Sequence, residues 1–513
     1  MSQRVAPQPT TSPVVTADQW LTLADGVRLA TDIYRSPWPA PVILRRTPYN
    51  RRTMVEEALL WVSLGYAFVA QDVRGRGDSE GTWEPGQHES DDGEATLRWI
   101  AHQPWCDGRV IASGWSYEGF AALALPDHPA LVARILGFPF PGARALRYGE
   151  GTVVRLAHEL WWWLTHGSGR SSRPSFVEAM LAQAPALLQL PPAQLPTRLW
   201  GQLGAWPPFG TSLPPLTWSG GRIPLLLLTG WYDAFVGEAL RLWQTAPPGS
   251  TLVVGCWTSA LNQPLRAHCA RNFGPAAELP LGDLQVAWLE AILTGAPSPL
   301  PPVQVFLIGT HRWVTAEHWP PEPLRACSFP LGADGQLGSA TPGSCGFPSD
   351  PTDPVPTPFP ADDLAQRPPR ADQVAFLSAP LPAPLRWYGS PRLELTGSSN
   401  VPSVDWLARL AYREPDGRTF LLGESLVEDC TALGPSHQVT ITLPPQAVEL
   451  PAGSRLLLEV AGSSFPGYAI NPHTGQPREN WLESAPAHQW LLCGPGGSRL
   501  ILPVAEASPW TPA

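Results

Sequence analysis

The segment RVIASGWSYEGFAALA, residues 109–124, decides the fold. Its first half is an apolar run of strand type, and from Tyr117 onward the apolar residues fall at helical spacing. Ser116 stands at the junction, with Gly114 two residues before it and Gly119 three after. A strand that turns directly into a helix at a serine needs small neighbours, because the backbone there is strained and tightly packed. In such a turn the N–H after the serine, here that of Tyr117, points into the site as an oxyanion donor. The generic G-x-S-x-G spacing asks for glycine at 118, where this chain has Glu118. A serine among glycines is also an ordinary turn residue, so the strand–turn–helix setting gives the motif its weight.

Outward from that turn, PVILRR (41–46) and AFVAQD (67–72) read as buried strands, and VEEALLWVSLG (55–65) and SDDGEATLRWIAHQ (90–103) as helices. Strands apolar along their whole length, alternating with helices, imply a parallel sheet covered on both faces. The rhythm stops near residue 145 and resumes with IPLLLLTGWYD (223–233) and STLVVGCW (250–257). Between them LAHELWWWLTH and SFVEAMLAQAPALLQL are helical and separated by Pro-rich loops, so an inserted helical cap is expected over 145–221. After a Pro/Ser/Asp-rich linker near 341–372, short alternating runs separated by Pro and Gly predict an all-β sandwich or jelly roll. The expected organisation is a disordered tail (1–19), an α/β body in two segments (20–144 and 222–345), the cap, and the β domain (346–513).

Composition narrows the function. The net charge of −10 argues against nucleic acid or an anionic membrane as partner. All 34 basic residues are arginine, which excludes Schiff-base chemistry, a pyridoxal-phosphate anchor and a Walker-type phosphate loop. Seven scattered cysteines without a C-x-x-C pair, and a start without an apolar h-region, fit a reducing, cytoplasmic address. No apolar run is long enough to span a membrane. No His/Cys/carboxylate cluster has ligand spacing, so neither metal nor cofactor is expected.

Asp233 ends the run IPLLLLTGWYD, 117 residues after Ser116 and beyond the cap. A carboxylate at the C-terminal end of a parallel strand lies on the edge where such sheets place their chemistry, although it is also a natural cap for the helix that follows. Ser, then Asp, then the loop after the next strand is the order of an α/β-hydrolase triad, with histidine due last.

The stretches RRTPYNRR, GYAFVAQDVRGRGDSEGTW, ATLRWIAHQPWCDGRV, SGWSYEGF and LLLTGWYDAFVGEAL carry a specific resemblance, joined by DPTDPVP and VAGSSFPGYAINPHTG near the C-terminus. In this order they resemble the α/β-hydrolase family of cocaine esterases, X-Pro dipeptidyl-peptidases and α-amino-acid ester hydrolases, over the whole chain from about residue 20 except the cap. The resemblance implies an α/β-hydrolase body with a helical cap and a C-terminal jelly-roll (galactose-binding-like) domain. It implies Ser116 as nucleophile, Asp233 as the acid, and an oxyanion hole of the Tyr49 hydroxyl and the Tyr117 N–H. Without the family Tyr49 would read as a core-edge tyrosine. RGD at 76–78 is a chance tripeptide in the family's Gly-rich loop, and WWW at 161–163 reads first as cap-to-body packing, with an aromatic pocket as the alternative.

The base is out of place. The family pattern after the second of these strands is Gly-Pro-Trp-Ser-His, whereas here Gly255-Cys256-Trp257-Thr258-Ser259 puts serine in the histidine's slot. His268 lies nine residues further on, which is about 30 Å if extended and about 13 Å if helical. A rerouted loop would return it to Ser116; otherwise it is a polar residue on the next helix. His88, His158 and His166 are the other candidates. The leading expectation is a serine hydrolase acting on a small-molecule ester or amide, with self-association left open. The alternative is a lapsed hydrolase that only binds, since losing the base can cost about 10⁶ in rate.

Overall fold

Strand runs that are apolar at every position can hide both faces only under two layers of helix. A computed structural model describes residues 12–139, 147–166, 169–172, 186, 189–195, 221–258, 273–358 and 362–508. Its body sheet comprises β1 (Val14–Thr22), β2 (Arg28–Arg35), β3 (Ala40–Thr47), β4 (Ala67–Asp72), β5 (Cys106–Trp115), β6 (Leu131–Gly137), β7 (Leu225–Gly230), β8 (Thr251–Gly255), β9 (Val303–Gly309) and β10 (Arg312–Ala316). The order across it is β1-β2-β4-β3-β5-β6-β7-β8-β9-β10, parallel from β4 to β9 and antiparallel at both edges.

Successive strand residues point to opposite faces, and the core divides accordingly. Val42, Leu44, Val69 and Ala112 meet α2 (Glu89–Ala101), α3 (Tyr117–Leu123) and α5 (Val236–Trp243) on one side. Ile43, Phe68, Ala70 and Ile111 meet α1 (Val55–Ser63) and α6 (Leu281–Thr294) on the other. Of the expected cap, the described part includes α4 (Leu156–His166); much of 173–220 lies outside the described residues. Among the described residues no helix is long and apolar enough to cross a membrane.

Two expected boundaries shift. Residues 14–19, placed in a disordered tail, belong to β1, which pairs antiparallel with β2 from Val14↔Arg35 to Thr22↔Arg28. The strand is largely exposed, so backbone pairing at the sheet edge holds it, and hydrophobic periodicity does not reveal it. At the other end, antiparallel pairing of the sandwich begins well before residue 346. Leu324–Pro330 pairs with Arg499–Ala505, and Gly343–Ser349, inside the expected linker, pairs with Ala487–Cys493.

The C-terminal part consists of two antiparallel layers. One contains those four strands with Arg392–Ser399 between them; in the other, Gln373–Ser378, Arg455–Ala461, Val404–Arg413 and Thr419–Asp429 lie side by side. Fully buried Trp387, Trp406 and Leu458 fill the space between the layers. The strand Gln446–Leu450 also pairs in parallel with β9, so the sandwich is stitched to the body by backbone hydrogen bonds.

A polar knot fixes the loops above the body's first strands. Arg51, fully buried, forms ion pairs with Asp72 at 2.5 Å, Asp78 at 2.7 Å and Asp32 at 3.1 Å, and also with Asp18. Arg51→Ala would leave Asp72 and Asp32 buried without their cation, and should cost about 3–5 kcal/mol in urea unfolding. Arg52→Ala removes exposed pairs to Asp18 and Asp78 and should cost less than about 1 kcal/mol.

Candidate active site

Ser116 sits between β5 and α3 with φ 54° and ψ −121°, a strained conformation for a residue with a side chain. Its N–H donates to Gly137 O at 2.8 Å, and its carbonyl accepts from Phe120 N at 3.1 Å. The turn closes only because its neighbours are glycine. A Cβ on Gly114 would come within 2.3 Å of the Glu118 backbone, and one on Gly119 within 3.1 Å of Gly114 O.

Glu118, in the generic glycine slot, proves to be a buried brace. Its Oε1 accepts from Thr47 Oγ1 at 2.7 Å, and Arg45 Nε lies 3.9 Å from Oε2. Burial pushes its pKa up, while Arg45 and Thr47 pull it down. The same Thr47 oxygen accepts the Tyr49 N–H at 3.0 Å. A chain of hydrogen bonds therefore runs from the serine turn, through the end of β3, to Tyr49. Sequence reasoning missed this brace; a glutamate in the slot where the generic motif has glycine was its one visible sign.

Tyr49 directs its hydroxyl at Ser116, donating to Oγ at 3.4 Å. Burial pushes the phenol up to about 12, against opposing contacts from Ser116, the Trp162 indole and the Tyr117 N–H. At neutral pH it is therefore an uncharged donor, gathered with the Tyr117 amide around one point. The Tyr117 side chain is turned inward, where its hydroxyl contacts Glu89 and accepts from Gly86 N at 2.9 Å.

Asp233 lies three residues beyond the end of β7 and is buried. Its Oδ1 accepts from Phe235 N at 2.8 Å, so the carboxylate also shapes the turn into α5. Burial pushes its pKa up to about 7, opposed by the Phe235 N–H, Arg155 and the Ala234 N–H. Ala234 and Phe235 join Tyr49, Tyr117, Trp162 and Trp163 in one apolar cluster, which brings the two turns together. Within the tryptophan triplet, Trp162 and Trp163 are buried as packing and Trp161 is exposed.

The end of β8 abuts the Asp233 turn, with Trp231 N donating to Gly255 O at 2.9 Å and Tyr232 N to Trp257 O at 3.1 Å. The vacant slot, Ser259, and His268 both lie outside the described residues. The other candidate histidines are placed. His88 pairs with Glu84 at 3.1 Å. His158 faces the Phe235 ring edge-on at 5.4 Å, and burial with Arg155 pushes it down to about 3. His166 lies against the Tyr49 ring at 4.6 Å and bonds Ser172 Oγ at 2.7 Å; burial with Arg76 pushes it down to about 3. Among the described residues, no histidine hydrogen-bonds Ser116 or Asp233. Arg76, first residue of the RGD tripeptide, is buried and donates to Pro48 O, His166 O and Gly169 O, tying the cap to the Tyr49 loop.

Comparison with known proteins places the chain in a family. The family model of X-Pro dipeptidyl-peptidase (S15 family) matches residues 25–259, and that of the X-Pro dipeptidyl-peptidase C-terminal non-catalytic domain matches 294–501. An aminopeptidase from the marine sediment archaeon Thaumarchaeota archaeon superposes with a TM-score of 0.79 at 22% identity, covering 99% of each chain. An α-amino acid ester hydrolase gives 0.75 at 22% identity, covering 98% of this chain and all of its own. Cocaine esterase from Rhodococcus sp. (strain MB1 Bresler) is 30% identical over 573 residues, spanning 96% of this chain and 99% of its own length. With that identity sustained along both chains, the protein belongs to the X-Pro dipeptidyl-peptidase (S15) family and is a serine hydrolase of its esterase and peptidase type.

Proposed function

We propose that the chain hydrolyses a small ester or amide through an acyl-enzyme on Ser116. The observation behind this reading is the Tyr49 hydroxyl, held 3.4 Å from Ser116 Oγ on a strained turn. Ser116 Oγ attacks the substrate carbonyl and its proton passes to a base. The tetrahedral oxyanion then takes hydrogen bonds from the Tyr49 O–H and the Tyr117 N–H. The base returns the proton to the leaving group, and water releases the acyl group by the same steps in reverse order. Asp233 stabilises the cation formed on the base.

The base in this reading is His268. Elimination supports it: among the described residues no histidine bonds the nucleophile or the acid, and His158 and His166 sit where burial disfavours their charged forms. The segment after β8 starts beside the Asp233 turn. The reading requires no metal or cofactor, takes a small molecule rather than nucleic acid or membrane as partner, and places the protein in the cytoplasm. The six described cysteines, all free thiols, support that address.

His268→Ala and Ser116→Ala should both abolish hydrolysis of an activated ester and labelling by a fluorophosphonate. Activity near background in the parent, with a gain of several orders of magnitude in Ser259→His, would refute His268 as base. Tyr49→Phe should lower kcat by about 10²–10³ with KM little changed, because the donor matters most when the oxyanion forms. For Asp233 the sign is set by a folded-state pKa of about 7 against an ordinary value of 3.8. Activity should fall as pH drops through about 7 and the carboxylate takes a proton. Stability should move the other way. The folded state holds that proton more tightly, so stability from this group is full below the ordinary value and is lost as pH rises through about 7. Asp233→Asn should therefore melt higher than the parent above about pH 7 while losing about 10⁴ in kcat.

A further inference from the structure

Arg155 lies in the segment that enters the cap helix α4, far in sequence from both the nucleophile and the acid. Its Nη1 donates to Ala234 O at 2.9 Å, and its guanidinium carbon lies 5.8 Å from the centre of the Phe235 ring. Those are the two residues after Asp233, and the Phe235 N–H is the one that grips the Asp233 carboxylate. The arginine thus holds the turn that holds the acid.

The arginine itself is anchored from the far side. Its N–H donates to Arg147 O at 2.7 Å, and its side chain passes over Gly149 (φ +56°), where a Cβ would come within 2.8 Å of Nη1. On either side of it the backbone is bonded to the C-terminal sandwich. Thr152 N donates to Leu426 O at 3.3 Å, Ala469 N to Val154 O at 2.8 Å, and Ala157 N to Pro466 O at 2.9 Å; Glu428 N donates to Thr152 Oγ1 at 2.9 Å. The sandwich also supplies Tyr468, whose phenol donates to Glu424 O at 3.4 Å and favours the charged form of Arg155.

Among the described residues, further charges act on Arg155. Glu150 and Glu238 act on Arg155 but are engaged by Arg241, at 3.1 Å and 2.6 Å. His158, from α4, meets the turn through the Phe235 ring and is kept neutral by burial and by Arg155. Among the described residues, Arg155 is thus the side-chain cation that acts on the Asp233 carboxylate, alongside the N–H groups of the acid's own turn.

We propose that Arg155 is a positioning residue, a cation braced on the C-terminal sandwich that fixes the turn after Asp233 and opposes protonation of the acid. The proposal rests on Asp233 being the acid. It gives the sandwich a share in the chemistry without contact with substrate.

The test is the pH dependence of kcat/KM for an activated ester in Arg155→Met and Arg155→Lys, with Ser116→Ala and Asp233→Asn as controls. In Arg155→Met the acidic limb should move up by about one unit, lowering activity near pH 6 about tenfold, while the alkaline plateau stays within about threefold of the parent. Arg155→Lys, which keeps the charge, should bring the limb most of the way back. An Arg155→Met limb that stays in place, with activity reduced equally at every pH, would overturn the proposal and leave the Ser116 and Asp233 assignments standing. Undiminished activity in Asp233→Asn would overturn both. Independently of turnover, the infrared band of the protonated Asp233 carboxyl, assigned by its loss in Asp233→Asn, should titrate at higher pH in Arg155→Met; titration at the parental pH would also overturn it.

Discussion

Arg51 stands where four chain segments converge and joins them through charge. Asp18 comes from β1, Asp32 from β2, Asp72 from the end of β4 and Asp78 from the Gly-rich loop. Taking a guanidinium out of water is expensive, and one carboxylate rarely repays it; several partners in good geometry can. The planar fork suits arginine rather than lysine, in a chain whose basic residues are all arginine. The loop wraps the knot so closely that a Cβ on Gly77 would come within 2.2 Å of Asp72 Oδ2. Tyr49 lies two residues before Arg51, so the knot also fixes the approach of the phenol to Ser116.

The site is rigid because strain on one side is matched by bracing on the other. Asn50 has φ 102° and Ser116 φ 54°, so both partners in the Tyr49–Ser116 contact adjoin or occupy unfavourable backbone. The Glu118–Thr47–Tyr49 chain links these two stretches directly. A glycine at 118 would fit the turn but could not brace Tyr49. That exchange of a small residue for a hydrogen-bonded carboxylate holds Tyr49 in place against the serine turn.

The sheet was legible because parallel strands buried on both faces are apolar for most of their length, as at 67–70 and 225–228. The serine turn was legible because it needs glycines at set positions. β1 was hidden because an exposed edge strand has no apolar face to betray it, and the early sandwich strands because Pro and Ser tolerated at a sheet edge look like linker. Resemblance supplied Tyr49, which its own residue type does not distinguish. Glu118 and Arg155 were out of reach, since their roles depend on partners dozens or hundreds of residues away.

An interior strand of the sandwich is the last of its strands in chain order. Arg499–Ala505 lies between Leu324–Pro330 on one side and Arg392–Ser399 on the other, with Trp387 also paired to Val504. A ribosome delivers that strand after every neighbour it must separate. Until then Leu324–Pro330 has an open edge and no link to Arg392–Ser399. Assembly of this layer therefore waits on Arg499–Ala505, with an interval in which unpaired strand edges are available to chaperones or to other nascent chains. A premature stop before Arg499 would not trim this layer but separate Leu324–Pro330 from Arg392–Ser399.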